Sequence, residues 1–102
     1  MKPIRFLTPA SIEHLEAVAY YDGEREGLGA EFEEEVKQAL GRILEHPEAW
    51  PPLSRRTRRG RTKRFPYGIV YQDRGDFILV VAVMHLHRNP RLWRARLTKG
   101  ET

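Results

Sequence analysis

The chain has no cysteine, which excludes disulfide staples and thiolate metal sites. Its longest apolar run is the eight residues 77–84, FILVVAVM, far short of the roughly 20 that a membrane-spanning helix needs. The opening MKPIRF is not a basic segment followed by an apolar one, so no signal peptide is read and a cytoplasmic location is expected. A P-loop, a dinucleotide-binding glycine fingerprint, a nucleophile elbow and paired zinc-ligand spacings are also missing. These gaps leave little room for a small-molecule enzyme, and neither a cofactor nor a metal is expected. Acid is scarce in one half only. Residues 55–102 hold thirteen Lys/Arg against three Asp/Glu, net +10, whereas residues 1–54 hold five against eleven, net −6. So divided a field predicts a polyanionic or acidic partner for the second half and no membrane partner. At 102 residues the chain is expected to form one domain, 1–102, with a modest core.

What is present centres on residues 64–93. Phe65, Tyr67, Ile69 and Tyr71 alternate with smaller or polar residues, the period of a strand. The run 77–84 is partly β-branched, too short for a stable helix, and suits a strand covered on both faces. Asp73-Arg74-Gly75-Asp76 reads as the turn between them, with Arg74-Gly75 as its two central residues. That pairing sets Phe65, Tyr67, Ile69 and Tyr71 beside Ile78, Val80, Ala82 and Met84 as one apolar face, the bed for helices. The other face then carries Gly68, Val70, Gln72, Leu79, Val81, Val83, His85 and His87, with no layer left in the chain to cover it. An open patch awaiting a partner is expected there.

Upstream, Ile4–Leu7 reads as a short strand, and Thr8-Pro9 as the N-cap and first residue of a helix. Ile12, Leu15, Val18 and Ala19 recur at helical spacing, with Tyr20-Tyr21 adding aromatic bulk. Gly27-Leu28-Gly29 reads as a C-cap and tight turn. A second helix from about Ala30 carries Phe32, Val36, Ala39, Leu40, Ile43 and Leu44 on one face and ends at His46-Pro47. Glu31, Glu33, Glu34 and Glu35 crowd its first turns, where the helix dipole favours negative charge. A proline-rich loop follows, with Trp50 as its anchor. Residues 55–64, RRTRRGRTKR, hold seven basic residues in ten, and Arg61–Arg64 are expected to enter a strand. Asn89-Pro90 breaks the sheet, and RLWRARL is read as an irregular or helical turn.

The chemistry-bearing residues allow several readings. The pair His85-x-His87 lies on one side of a strand, but without cysteine or a nearby acid it argues weakly for metal. Beside Arg88, Arg61, Lys63 and Arg64, a histidine fits general acid–base work on a phosphodiester, with the cations stabilising charge on phosphate. A half-buried histidine at a basic rim fits equally well. The basic run suits nucleic-acid phosphates or an acidic protein segment better than decoration.

The run Arg64-Phe65-Pro66-Tyr67-Gly68-Ile69-Val70-Tyr71, the apolar strand, and His85-Leu86-His87-Arg88-Asn89-Pro90 with Trp93 resemble the RelE/ParE superfamily of type II toxins, most closely its plasmid-stabilisation, ParE-like branch. Tyr20-Tyr21, Gly27-Leu28-Gly29 and Phe32 extend the resemblance upstream. It implies an α+β fold, β-α-α-β-β-β, with a helical hairpin on one face of a mostly antiparallel four-stranded sheet. It also implies a toxin bound and neutralised by a cognate antitoxin in a hetero-oligomer. The ParE-like branch poisons DNA gyrase without hydrolysis; the RelE-like alternative is a ribosome-dependent mRNA endonuclease, for which Arg61, Lys63, His85 and Arg88 would be the candidate chemistry. This chain departs from RelE at Gly68, where RelE carries an arginine, and at Trp93, where RelE has a tyrosine. Residues expected to meet antitoxin or target are Arg58, Arg59, Arg61, Lys63, Arg64, Val70, Leu79, Val81, Val83, His85, His87, Arg88 and Trp93. Outside the toxin class, a plain basic nucleic-acid-binding module is the other reading.

Overall fold

The computed structural model describes residues 2–88 and 91–102; the expected break at Asn89-Pro90 lies outside them. The elements run β1 (Ile4–Phe6), α1 (Thr8–Glu24), α2 (Leu28–Glu45), β2 (Arg58–Arg61), β3 (Tyr67–Asp73), β4 (Ile78–His85) and a 3-10 helix at Leu92–Arg96. The sheet order is β1-β4-β3-β2, with β1 parallel to β4 and the other pairs antiparallel. This is the expected α+β arrangement of two helices on a mostly antiparallel sheet.

The helix ends differ from their reading. Leu7, not Thr8, is the N-cap of α1, because its N–H still donates to the Val80 carbonyl at 3.0 Å. The chain passes directly from sheet to helix, and Pro9 lies in the first turn, where its missing N–H costs nothing. The inward side of α1 is also turned from the expected stripe. Ala10 and Ala17 are buried, whereas Ile12 and Leu15 are 50% and 63% exposed. Small alanines let the helix lie close to the sheet, and Glu13 is drawn inward by a partner described below.

α2 starts at Leu28, and Gly27 is its N-cap rather than the end of α1. Gly27 has φ of 88°, a left-handed conformation that glycine adopts without steric cost. The Asp22 carboxylate accepts from the N–H groups of Gly27 and Gly29 at 3.0 and 3.3 Å, so α1 caps α2. A Cβ on Gly29 would stand 2.5 Å from the Val18 carbonyl oxygen, which explains the glycine at this crossing. Phe32, Val36, Ala39 and Ile43 are buried as their spacing predicts. Trp50 packs on the same core, also as expected.

β2 lies at Arg58–Arg61, three residues before the expected Arg61–Arg64. Residues 62–66 form the loop to β3 instead. Thr62 holds it by donating from Oγ1 to the Phe65 carbonyl at 2.6 Å. Phe65 is therefore not a strand residue, although it is buried edge-on against Tyr21 and Phe32.

The β3–β4 turn is longer than its reading. Asp73 pairs with Ile78, leaving Arg74–Phe77 as the loop, with Gly75 at φ 86° and its N–H on Asp73 Oδ1 at 3.0 Å. This shifts the register by two and preserves the faces. The next irregularity does not. Tyr71 pairs with Val80 but Val70 with Ala82, so Val81 is a bulge residue. A one-residue insertion exchanges the faces beyond it. Val83 consequently joins the helix-side core with Ile69, Tyr71, Ile78 and Val80. Ala82 and Met84 move to the opposite face with Val70 and Val81.

That opposite face is not open. The C-terminal segment lies over it, and Trp93, only 2% exposed, fills its centre with Leu53 and Leu97 alongside. Gln72 Nε2 donates to Thr57 Oγ1 at 3.0 Å and also to the Glu101 carbonyl. The Thr102 carbonyl accepts from the Ser54 hydroxyl, from Thr57 Oγ1 at 3.3 Å and from the Arg56 N–H at 3.2 Å. The expectation that the chain holds no third layer is corrected: its own tail is that layer.

Candidate functional site

The expected contact residues divide into three groups. Val70, Val81, Val83 and Trp93 are buried and Leu79 is half-buried. The four buried residues are packing groups in this structure, not surface. The bulge sends Val83 inward toward the helices, and the tail seals the others.

The second group is basic but engaged. Arg64 ion-pairs with Glu35 and, at 3.3 Å, with Glu31. Glu35 also accepts the N–H groups of Lys63 and Arg64 at 3.0 and 2.8 Å, fastening the 62–66 loop to α2. Burial alone would push the Glu35 carboxyl up, but the bonds from Arg64 and Lys63 outweigh it and hold it below the ordinary glutamate range. Arg58 is half-buried, and its guanidinium donates to the Trp50 carbonyl.

A pH dependence follows from Glu35. A carboxyl whose folded pKa is depressed adds stability above its unfolded value, 4.5, and that stability disappears as pH falls through the lower folded value. Glu35→Gln is expected to cost about 1–2 kcal/mol at neutral pH, since one partner, Arg64, is solvent-screened. Urea melts at pH 7 and pH 3 check this. The gap between variant and parent should close on the acid side, and a constant gap would show that the ionised carboxylate is not what holds the loop.

The third group is accessible. His85 is half-buried, and His87 and Arg88 are exposed. The strand ends at His85, so the two histidines are not a strand pair as expected. His85 Nδ1 accepts the His87 N–H at 3.1 Å, and its ring meets Tyr67 edge-on at 5.5 Å. Arg59 reaches the same end from β2. A Cβ on Gly68 would meet Arg59 Cδ at 2.7 Å, so the arginine stem lies across the bare glycine. Arg59, His85 and Arg88 thereby border one small hollow beside Leu53, Met84 and Trp93, and no carboxylate lines it. Arg61 and Lys63 border another hollow, with Trp50, Phe65 and Leu86. Arg61 and Lys63 thus line a different hollow from those that His85 and Arg88 line.

A groove of about 620 Å³ runs between α1 and the end of β4, lined by Tyr20, Tyr21, Tyr67, His85, His87 and Arg88 with Glu13 and Glu16. The sequence reading took Tyr20-Tyr21 only as packing bulk. Tyr20 is 61% exposed, and neighbouring aromatic residues at a helix end are the signal that was available. Burial pushes the Tyr67 phenol up while Arg88 pulls against it, and burial raises Tyr21 as well. Among the described residues no group of three or more potential metal ligands converges. Among the described residues no helix is long and apolar enough to cross a membrane.

Comparison with known proteins adds to this geometry. No curated protein matches the chain in sequence. The fold is similar to a solved structure described as the chromosomal ParDE TA system from P. aeruginosa, with a TM-score of 0.61 at 11% identity, covering 83% of this chain and 96% of that one. The family model for the ParE toxin of the type II toxin-antitoxin system parDE matches residues 6–90. With most of its length matched, from the end of β1 through α1, α2 and strands β2 to β4, the chain belongs to the ParE toxin family.

Proposed function

We propose that residues 1–102 act as one toxin domain in the cytoplasm, arresting growth by poisoning DNA gyrase, and that a cognate antitoxin neutralises the chain by binding it in a hetero-oligomer. The observation that carries this reading is the scattering of the nuclease candidates. Arg61 and Lys63 line one hollow and His85 and Arg88 others. A phosphodiester cleavage needs its acid, base and cations around one phosphate. A protein that only binds has no such need. Arg59, His87, Arg88 and the exposed tyrosine edge supply charge and aromatic surface for binding.

One observation favours the second reading, a ribosome-dependent mRNA endonuclease. Arg59 lies over Gly68 and returns a guanidinium close to where the bare glycine lacks one, beside His85 and Arg88. The deciding experiment sets purified protein against gyrase supercoiling and, separately, against mRNA on programmed ribosomes. Inhibited supercoiling with intact mRNA supports the gyrase reading. Cleaved mRNA, abolished by His85→Ala or Arg88→Ala, would replace it. Induction without growth arrest would leave only the basic nucleic-acid-binding module.

A further inference from the structure

Helix α1 is turned so that its alanines meet the core and its larger apolar side chains meet solvent. Ala10 and Ala17 are buried, while Ile12, Leu15 and Tyr20 are 50%, 63% and 61% exposed. Among the described residues only Leu92 joins them as an exposed large apolar side chain. Apolar residues scattered singly on a surface need no explanation, but three within nine positions of one helix form a patch. Ile12, Leu15 and the exposed Ala19 stand at i, i+3 and i+7, the spacing of a seam between packed helices. The helix packs on α2, β1 and β4 with its other sides, and this seam is left in solvent.

Along one flank of the seam run Glu16, Tyr20 and Glu24, a turn apart and all exposed. Neither carboxylate has an ion-pair partner among the described residues. A hydrogen bond to Glu24 holds the Tyr20 phenol above its ordinary range, which keeps ring and acid together. An aromatic ring with a carboxylate a turn before it and another a turn after it attracts a cation. The surrounding field has the same sign, since residues 1–54 carry net −6.

Charge complementarity selects the occupant. An acidic segment, a nucleic acid or an anionic lipid surface would meet Glu16 and Glu24 with like charge. Two copies of α1 packed antiparallel along this seam would set Glu16 beside Glu16. We propose that the outer side of α1 docks a basic amphipathic helix of a partner protein. The partner's apolar residues pack on Ile12, Leu15 and Ala19, and its lysines or arginines meet Glu16 and Glu24. A guanidinium between those two lies over the Tyr20 ring. Anchors a turn apart on each helix give such docking its selectivity. The surface uses none of the basic residues assigned above, so it stands whether or not the toxin reading holds. Growth arrest tests that reading, and peptide binding tests this one.

The probe is a fluorescent peptide of about four helical turns, leucine on one side and lysine on the other, at about 0.15 M salt. Counterparts replace its lysines by glutamate or its leucines by alanine. The leucine–lysine peptide should bind, the glutamate version should not, and the alanine version should bind more weakly. Leu15→Ser and Glu16→Lys should each weaken binding roughly tenfold. Glu34→Lys makes the same charge change on the far side of α2, beside Arg64. It and Leu92→Ser should leave binding within about twofold. All of these side chains are exposed, so the variants should fold as the parent does. Without any variant, amide shift changes in the parent on binding should centre on residues 12–24. No binding of the leucine–lysine peptide, tighter binding of the glutamate version, an equal loss in Glu34→Lys, or shifts centred outside α1 overturns the proposal. So does a dimer of the protein alone that Leu15→Ser dissolves, because a second copy would then be the occupant.

Discussion

Trp93→Ala is expected to lower the unfolding free energy by about 3–5 kcal/mol, the usual cost of emptying a large aromatic site in a core. The indole is 2% exposed and packs with Val70, Val81, Ala82 and Met84. It therefore holds the tail to the sheet as well as filling the second core. Domains of this size have about 5–15 kcal/mol in hand, so the variant should sit near the limit of folding at 37 °C. Urea denaturation of Trp93→Ala beside Leu92→Ala checks it. Leu92 is the next residue in the chain but 47% exposed, and its loss should cost about 0.5 kcal/mol or less. Equal, small effects at both positions would mean that the tail does not seal the sheet. Because stability is the expected defect, any loss of partner binding in Trp93→Ala has to be compared at matched folded fraction.

The second large effect is at Glu13. Its carboxylate receives two bonds from the Arg96 guanidinium, both at 2.7 Å, and the Val83 N–H at 3.0 Å. Arg96 completes the set by donating to the Val81 carbonyl at 3.0 Å. These backbone groups belong to β4 beyond the point where β1 has ended, so they would otherwise form a bare edge. A bidentate pair with both partners largely sheltered is among the stronger ionic contacts. Glu13→Ala leaves Arg96 unpaired and the Val83 N–H unmet, for an expected loss of about 2–4 kcal/mol. Glu13→Gln keeps an acceptor for Val83 and should lose about half as much. Double-mutant cycles with Arg96→Met should return a coupling of about 1–3 kcal/mol. A coupling near zero would reduce the pair to a surface contact. Faster hydrogen exchange at Val83 in Glu13→Ala is the local signature.

The elements with a clean period were legible in the sequence. Tyr67, Ile69 and Tyr71 gave β3, the run 77–84 gave β4 to within a residue, and Phe32, Val36, Ala39 and Ile43 gave the inner side of α2. Faces failed where one residue interrupts the period. Nothing in FILVVAVM distinguishes Val81 from its neighbours, because every residue is apolar, so alternation carries no information there. The α1 stripe failed for a related reason: its apolar residues surround the helix, and alanines rather than larger side chains mark its buried side. The tail's role was hidden because Trp93, Leu97, Glu101 and Thr102 share no period. Their burial depends on distant partners in β3, β4 and the loop before β2.

The candidate site was legible as composition but not as arrangement. The basic run announced charge, yet only the folded chain shows that Arg59, its stem across Gly68, borders a hollow with Arg88 while Arg61 borders one with Trp50. Arg64 seemed as available as the others until Glu31 and Glu35 were placed beside it. Gly68 marked a missing side chain in the sequence; only the neighbouring strand shows that Arg59 occupies the vacated space.

The parallel pairing of β1 with β4 also constrains the order of assembly. Ile4 meets Ile78, and Glu13 meets Arg96 across 83 positions of sequence, whereas the α1–α2 hairpin and the β3–β4 ladder close over short separations. Loop closure over such distances is slow compared with local pairing. During synthesis β1 emerges first yet must wait for almost the whole chain before its lane exists. The helical hairpin and the β2–β4 meander are therefore expected to form early, with the first strand and the last dozen residues locking in together at the end. A growing chain exposes the β4 edge until β1 and the Glu13–Arg96 pair have both settled on it.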